Sequence, residues 1–160
     1  MLDDLLKSHL SLVICGTAAG RESARRRAYS AGRGNRFWRI LHETGLTDRQ
    51  LAPEEWSQLA KYGIGLTDIA KHQAGMDHTL DRSGFDVAGL WARIERCEPR
   101  ILAFNGKAAA RAAIGVGDFG RQPQSWGRTK LWVVPSTSGA AAGSWDSAVW
   151  HDLARALCES

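Results

Sequence analysis

Four short apolar stretches, each followed at once by small or polar residues, constrain the fold of this chain most strongly. They are rich in aliphatic and β-branched residues and are separated by segments in which apolar residues recur at helical spacing. Short continuous apolar runs predict strands buried on both faces, and their alternation with helices predicts an α/β fold with a parallel sheet covered on both sides. The predicted strands lie in Leu10–Gly16, Ile64–Ala70, Arg100–Gly106 and Lys130–Gly139.

Helices are predicted between and after these strands. Asn35 is a good N-cap for the first helix and Gly45 is a good terminator of it. The predicted helical segments are Asn35–Gly45, Thr47–Gly63, Phe85–Pro99, an alanine-rich helix from Lys107, and Ser144–Leu157.

The loops that follow the strands are the candidate ligand-binding segments, because ligands of such folds bind at the carboxyl ends of the strands. The first of these loops carries most of the positive charge. Arg21–Arg39 holds seven arginines and one acidic residue, whereas the whole 160-residue chain has a net charge of only +4. A concentrated basic loop at the ligand edge indicates a polyanion partner, most often nucleic acid; the alternative is a solvated arginine loop.

Composition excludes several other classes of protein. The three cysteines, Cys15, Cys97 and Cys158, are far apart and form no CxxC pair, so we expect no metal centre. No apolar run approaches the roughly 18–20 residues that a membrane span needs. The first ten residues lack the layout of a signal peptide. We therefore expect one domain over residues 1–160, in the cytoplasm and without a membrane partner.

Several motifs in fixed order narrow the interpretation further. They read "GTAAG", "YSAGRGNRFW", "YGIGLTDIA", "ILAFNGKAA" and "LWVVPSTSGAA". In order and spacing they resemble the uracil-DNA glycosylase superfamily, in particular its mismatch-specific uracil and thymine-DNA glycosylases, from about Leu10 to Leu157. The resemblance implies a three-layer α/β/α sandwich with a four-stranded, mainly parallel sheet. It also implies cleavage of the N-glycosidic bond of a deaminated or mispaired base in DNA, without metal or cofactor.

The first motif departs from the pattern of that branch. Where the branch has Gly-x-Asn-Pro-Gly, with an Asn that positions the attacking water, this chain has "GTAAG", and Ala18 stands in the place of the Asn. A methyl group can neither orient nor activate water. Another residue must therefore hold the water or stabilise the charges that develop as the bond breaks.

Asn35 and Asp68 are the candidates for this catalytic role. Hypoxanthine-DNA glycosylases, which also lack the first-motif Asn, resemble this chain in an Asn-x-Phe-Trp motif, and this implies that Asn35 can take over; the alternative is a helix cap. Asp68 follows an apolar run at the ligand edge. Its carboxylate can orient water or stabilise a cationic sugar, and the alternative is a cap or turn residue.

The remaining site predictions concern contacts with the base and the backbone of DNA. The resemblance implies that the main-chain amides of Thr17 and Ala18 contact base carbonyls. It also implies an aromatic residue stacked on a flipped base, at a position that falls on Ser30, with Tyr29 beside it. Cations, hydroxyls and main-chain amides at the strand ends are predicted to bind DNA. They belong to Arg21, Arg33, Lys107, Ser136, Thr137, Ser138, Gly139 and Ala140.

These observations predict a monomeric, monofunctional uracil-DNA glycosylase that acts near the bacterial nucleoid and leaves an abasic site. The small residues of Gly139–Gly143 predict a shallow wedge, hence good activity on single-stranded DNA. Three alternatives stay open: a glycosylase for hypoxanthine or another deaminated base, a non-catalytic protein that binds uracil or damaged DNA, and a small-ligand-binding α/β domain. Ala18 is the feature that keeps the non-catalytic alternative open.

Overall fold

The computed structural model describes residues 4–18, 23, 27–32, 34–70, 85–115 and 117–159. Within these ranges a sheet of five strands forms the centre of the fold, in the order β2-β1-β3-β5-β4. Neighbouring strands are parallel except β4, which runs antiparallel to β5. The strands are β1 (Leu12–Gly16), β2 (Ile64–Asp68), β3 (Ile101–Asn105), β4 (Gly120–Trp126) and β5 (Thr129–Val134).

The four stretches predicted as strands all form strands, and the α/β prediction is confirmed. The prediction of a four-stranded sheet is wrong, because β4 adds a fifth strand at one edge. The sequence of β4, GRQPQSW, contains no apolar run, and Gln122 is its one buried residue. An edge strand needs to pair on one side alone, so it tolerates Pro123 and exposed polar residues that a central strand would exclude.

Helices pack on both faces of the sheet, and each predicted helical segment contains one. The helix predicted from Asn35 begins two residues later, and the one predicted over Thr47–Gly63 is a 3-10 helix with a kink at Glu55. The helices are α1 (Phe37–Glu43), α2 (Val87–Cys97), α3 (Lys107–Ile114) and α4 (Ser147–Cys158), and the 3-10 segments are Pro53–Tyr62 and Gly139–Ser144.

Two hydrophobic clusters show that the sheet is covered on both sides. Alternate residues of a strand point to opposite faces, and the strands divide accordingly. On one face, strand residues such as Ile14 pack with α1, α4 and the 3-10 segment Pro53–Tyr62. On the other face, residues such as Val13 and Phe104 pack with α2 and α3. This arrangement is the predicted three-layer sandwich.

Trp150 of α4 fastens the end of β5 to the first of these layers. The side chain is fully buried. Its Nε1–H donates to the carbonyl of Pro135 at 2.9 Å, and its ring meets Phe37 edge-on at 6.4 Å. The loop after β5 therefore leaves the sheet at a position set by α4. No helix in the described part of the chain has both the length and the apolar character needed to cross a membrane.

Glu55 stabilises the kinked 3-10 segment through a carboxylate that accepts hydrogen bonds from Arg49, from Gln58 and from the main chain of Ala52. Arg49 donates from Nη2 to Oε2 at 2.7 Å and from Nη1 to Oε1 at 3.1 Å, and the main-chain N–H of Ala52 donates to Oε1 at 2.9 Å. Hydrogen bonds from Arg49 and then from Ala52 lower the pKa of Glu55 from 4.5 to about 2. Folding therefore favours the ionised carboxylate.

We expect the stability contributed by Glu55 to be complete above about pH 5 and to be lost as the pH falls from 4.5 towards 2. The urea midpoint of Glu55→Gln should therefore lie below that of the wild type at pH 6, and the gap should narrow as the pH falls. Glu95→Gln, which removes an exposed carboxylate from α2, is the matched control. A gap that is the same at pH 6 and at pH 2.5 would contradict this account.

Candidate functional site

The carboxyl ends of the four parallel strands lie along one edge of the sheet and bring most of the predicted site residues there. Gly16 pairs with Asp68 at the ends of β1 and β2. Asn105 pairs with Val134 at the ends of β3 and β5, so the loop Pro135–Gly139 starts beside Asn105. Residues far apart in the chain therefore meet because parallel strands end at the same edge.

Asp68 is a buried carboxylate packed against the glycine of the first motif. The residue is 7% exposed. A Cβ added at Gly16 would lie 3.0 Å from Asp68 Oδ1, so the carboxylate rests directly on the main chain of β1. The missing side chain of this glycine makes room for the charged group. Asp68 is thus an acidic residue in direct contact with the first motif.

Two residues that sequence reasoning did not identify hold the main chain of Asp68 in place. Arg93 of α2 donates from Nη2 to the carbonyl oxygen of Asp68 at 3.1 Å. Its Nε lies 3.3 Å from Asp4 Oδ2, and Asp4 Oδ1 accepts a hydrogen bond from the Thr67 hydroxyl at 2.8 Å. No local sequence signal connects Asp4 with Thr67, because they are 63 positions apart.

The main chain of the first motif is held by β2 beyond the end of the strand. The carbonyl of Gly16 accepts from Ile69 N–H at 2.9 Å, and that of Thr17 accepts from Ala70 N–H at 2.7 Å. Thr17 is buried, whereas Ala18 is half-buried. The segment that is predicted to contact base carbonyls is therefore anchored to the strand that carries Asp68.

Asn35 caps α1 from the position before its N-cap residue. Its Oδ1 accepts from the main-chain N–H of Phe37 at 2.9 Å, and its own N–H donates to the carbonyl of Gly32 at 3.1 Å. Asn35 thus satisfies the first main-chain N–H of α1, although the N-cap residue is Arg36 and not Asn35 as predicted. Its Nδ2 makes no hydrogen bond to the described residues and remains available as a donor. The catalytic role of Asn35 stays a prediction.

Thr137 joins three of the strand-end loops. It is 1% exposed. Its hydroxyl accepts from Asn105 Nδ2 at 3.1 Å, and its N–H donates to Asn105 Oδ1 at 3.1 Å. Its carbonyl accepts from the N–H of Arg36 at 2.8 Å. The Thr137 side chain therefore ties the loops together, and its predicted DNA contact stays a prediction.

The neighbours of Thr137 shape the start of the segment Gly139–Ser144. Ser136 Oγ accepts from the N–H of Ser138 at 3.2 Å, and Ser138 Oγ accepts from the N–H of Ala140 at 3.3 Å. Gly34, at φ +78°, fits against this segment: a Cβ there would lie 3.6 Å from the Cα of Gly139. Ser136, Ser138 and Gly139 are half-buried, and Ala140 is exposed at the rim.

Lys107 and the basic loop complete the predicted DNA contacts. Lys107 is exposed at the first turn of α3, and its Nζ lies 4.7 Å from the centre of the Phe119 ring. Arg21 and Arg33 lie outside the described residues. Nowhere in the described ranges do three or more His, Cys, Asp or Glu side chains form a group that could hold a metal ion.

Tyr29 and Ser30 are placed differently from one another. Tyr29 is 6% exposed, and its ring packs edge-on against Trp56 at 5.4 Å between ring centres. Its carbonyl accepts from Trp38 Nε1 at 2.9 Å. Ser30, at φ +52°, lines a cavity of ≈480 Å³ together with Asn35. The Tyr29 ring thus occupies a core position, and base stacking by Tyr29 or Ser30 stays a prediction.

We expect Asn105→Ala to lower the free energy of unfolding by about 1–3 kcal/mol, because it leaves the buried Thr137 N–H without an acceptor. Asn105→Asp is the matched control. It keeps the acceptor for that N–H, and the Thr137 hydroxyl can turn to donate to the other oxygen. Urea unfolding of the two variants measures the difference. Equal losses in both variants would show that the Asn105–Thr137 pair is not the source.

The comparison with known proteins agrees with this arrangement. Among solved structures, the chain is similar to a candidate uracil DNA glycosylase from Methanosarcina acetivorans, determined by solution NMR. The two are 24% identical, the match covers 99% of this chain and 97% of the other, and the TM-score is 0.66. This similarity shows the shared fold. The model of the uracil DNA glycosylase superfamily matches residues 4–154, nearly the whole chain. The chain therefore belongs to the uracil DNA glycosylase superfamily.

Proposed function

We propose that this protein is a monofunctional uracil-DNA glycosylase that flips uracil out of single-stranded or mismatched DNA and leaves an abasic site. Membership of the superfamily supports glycosylase activity on DNA. The observation that carries the proposal is the buried Asp68 carboxylate, which rests on Gly16 of a motif that lacks its usual polar side chain. The proposal places the water-binding role on this carboxylate, which contacts the same motif two residues before Ala18.

In the proposed reaction, water attacks the anomeric carbon of the deoxyribose as the bond to the base nitrogen breaks. The bonding electron pair leaves with uracil as an anion, and the sugar becomes transiently cationic. Asp68 orients the water, accepts its proton and stabilises the cationic sugar by its negative charge. No metal or cofactor is needed, because uracil is an acceptable leaving group as an anion.

Asn35 has a narrower part in this scheme than a water-activating residue. Its Oδ1 is engaged with the N–H of Phe37, so Nδ2 is the group that can contact substrate. An amide N–H can donate to a base carbonyl or to the oxygen of the attacking water, but it cannot accept a proton. We assign base carbonyl contacts also to the main chain of Thr17 and Ala18.

Groups at the rim of the site are proposed to bind the phosphates of the DNA backbone. Ser136, Ser138 and the main chain of Gly139–Ala140 lie at the start of a 3-10 segment, with the ammonium group of Lys107 also at the carboxyl edge of the sheet. Hydroxyls, main-chain amides and cations are the groups that proteins use for phosphates. We propose that the protein works as a monomer on DNA in the cytoplasm. The non-catalytic alternative is retained because of Ala18 alone.

The activity is tested with single-stranded oligonucleotides that carry one uracil or one hypoxanthine, followed by alkaline cleavage of abasic sites. We expect strand scission at uracil. Scission at hypoxanthine alone would show the other base specificity. Retained binding without scission on either oligonucleotide would contradict the proposed enzyme and favour a binding protein.

We expect Asp68→Asn to lower the single-turnover rate of uracil release by about 10²-fold or more, since it removes the proton acceptor. Asp152→Asn, which removes an exposed carboxylate of α4, is the control and should keep the wild-type rate.

Asn35→Asp keeps the cap acceptor for Phe37 but loses the Nδ2 donor. The Asn35→Asp variant should release uracil more slowly than the wild type if Nδ2 contacts substrate. Its rate should equal that of the wild type if Asn35 only caps the helix. Wild-type rates in both Asp68→Asn and Asn35→Asp would overturn the assignment of the site.

The exposed segment Gly139–Ser144 offers only small side chains to fill the space that a flipped nucleotide leaves. Unstacking a paired base costs a few kcal/mol and costs least in single strands. We therefore expect uracil release from single-stranded DNA to be at least as fast as from U:A or U:G duplexes. A strict requirement for U:G would contradict this expectation.

A further inference from the structure

Arg36 connects the loop that carries Asn35 with residues on both sides of the segment Gly139–Ser144. Its N–H donates to the carbonyl of Thr137 at 2.8 Å. Its guanidinium carbon lies 5.3 Å from the centre of the Trp145 ring, which directly follows the segment. The guanidinium thus lies over an aromatic ring at the junction of the two loops, at cation–π distance.

The positive charge of Arg36 has no negative partner among the residues that the structure describes. Its side chain makes no hydrogen bond or ion pair with them, and Nη1 is buried without an acceptor. Arg93 Nε is likewise buried without a hydrogen bond, but it has the carboxylate of Asp4 at 3.3 Å, and Arg93 Nη2 donates to the carbonyl of Asp68. Buried cations in proteins are normally paired, so the environment of Arg36 favours the arrival of an anion.

The side chain of Arg36 is half-buried. Nη1 is buried without an acceptor, and Nε and Nη2 make no hydrogen bond to the described residues. These two nitrogens form an edge that can donate two parallel hydrogen bonds to one anionic group. The ring of Trp145 holds that edge in position before any ligand binds.

We propose that Arg36 binds an anionic oxygen of the substrate through its Nε–Nη2 edge. The proposal rests on the proposed function, because it needs DNA at this edge of the sheet. Two sources supply such an oxygen: a phosphodiester beside the flipped nucleotide, or the carbonyl oxygen of uracil as it leaves as an anion. A phosphate acts in binding, whereas the leaving base acts in the chemical step.

Arg36→Gln tests the phosphate source in a binding experiment. The probe is a single-stranded oligonucleotide with one 2′-fluoro-deoxyuridine, which resists cleavage. If Arg36 binds phosphate, affinity should fall about 10-fold, and the slope of log K against log salt should fall by about 0.7, the value for one contact on a single strand. Arg36→Lys keeps the charge, so its slope of log K against log salt should equal that of the wild type, while its affinity should stay below that of the wild type. Arg128→Gln removes an exposed charge at the opposite edge of the sheet and is the matched control.

The leaving-base source is tested by single-turnover rates at saturating enzyme. If Arg36 stabilises the uracil anion, Arg36→Gln should keep the affinity and salt slope and lose at least 10-fold in rate. The loss should be smaller with 5-fluorouracil in the oligonucleotide, because that base is a more stable anion. An equal loss with both bases would exclude this source.

The proposal is overturned if Arg36→Gln matches Arg128→Gln in affinity, salt slope and rate, with urea midpoints that show both variants folded. If Arg36→Gln is unstable, Arg36→Lys decides the question by its affinity relative to the wild type. A wild-type protein that binds the 2′-fluoro probe but releases no base would refute the proposed function. The binding experiment would still decide the role of Arg36, so the two failures are distinguishable.

Discussion

The site depends on the three hydrogen bonds by which Thr137 joins the loops at the carboxyl edge of the sheet. Two of them run to the side chain of Asn105, and the third comes from the N–H of Arg36. Thr137 is itself buried, which shields its own atoms in these bonds from water. The loops after β1, β3 and β5 are consequently held as one unit, and Asn35 and the segment Gly139–Ser144 have fixed positions relative to it.

The second constraint is the close approach of Asp68 to Gly16. A carboxylate at this position is compatible with a buried sheet end because the glycine leaves room and because Arg93 holds the main chain behind it. Arg36, whose charge has no acidic partner among the described residues, lies on a separate loop, so this edge of the sheet carries both a carboxylate and a cation. When bond cleavage produces a cationic sugar and an anionic base, a carboxylate can stabilise the sugar and a guanidinium can stabilise the base.

Much of the fold could be predicted from the sequence, because strands buried on both faces must be apolar throughout. The same criterion does not detect β4, because its polar residues and Pro123 are compatible only with an edge strand. The prediction of Asn35 as the N-cap was off by one residue, because the N-cap is Arg36, although Asn35 Oδ1 does accept from the N–H of Phe37. The burial of Tyr29 against Trp56 could not be predicted, because the two aromatic rings are 27 positions apart and meet only after the 3-10 segment has packed on the loop.

The sequence by itself determined which residues stand at the ends of the parallel strands, because the apolar runs define the strands and the direction of the chain defines their carboxyl ends. Only the tertiary structure decided which of these residues meet. The contacts of Asp4 with Arg93, of Thr137 with Asn105 and of Arg36 with Trp145 all join separate elements. Such contacts depend on how helices pack on the sheet, and no local pattern of residues encodes that packing.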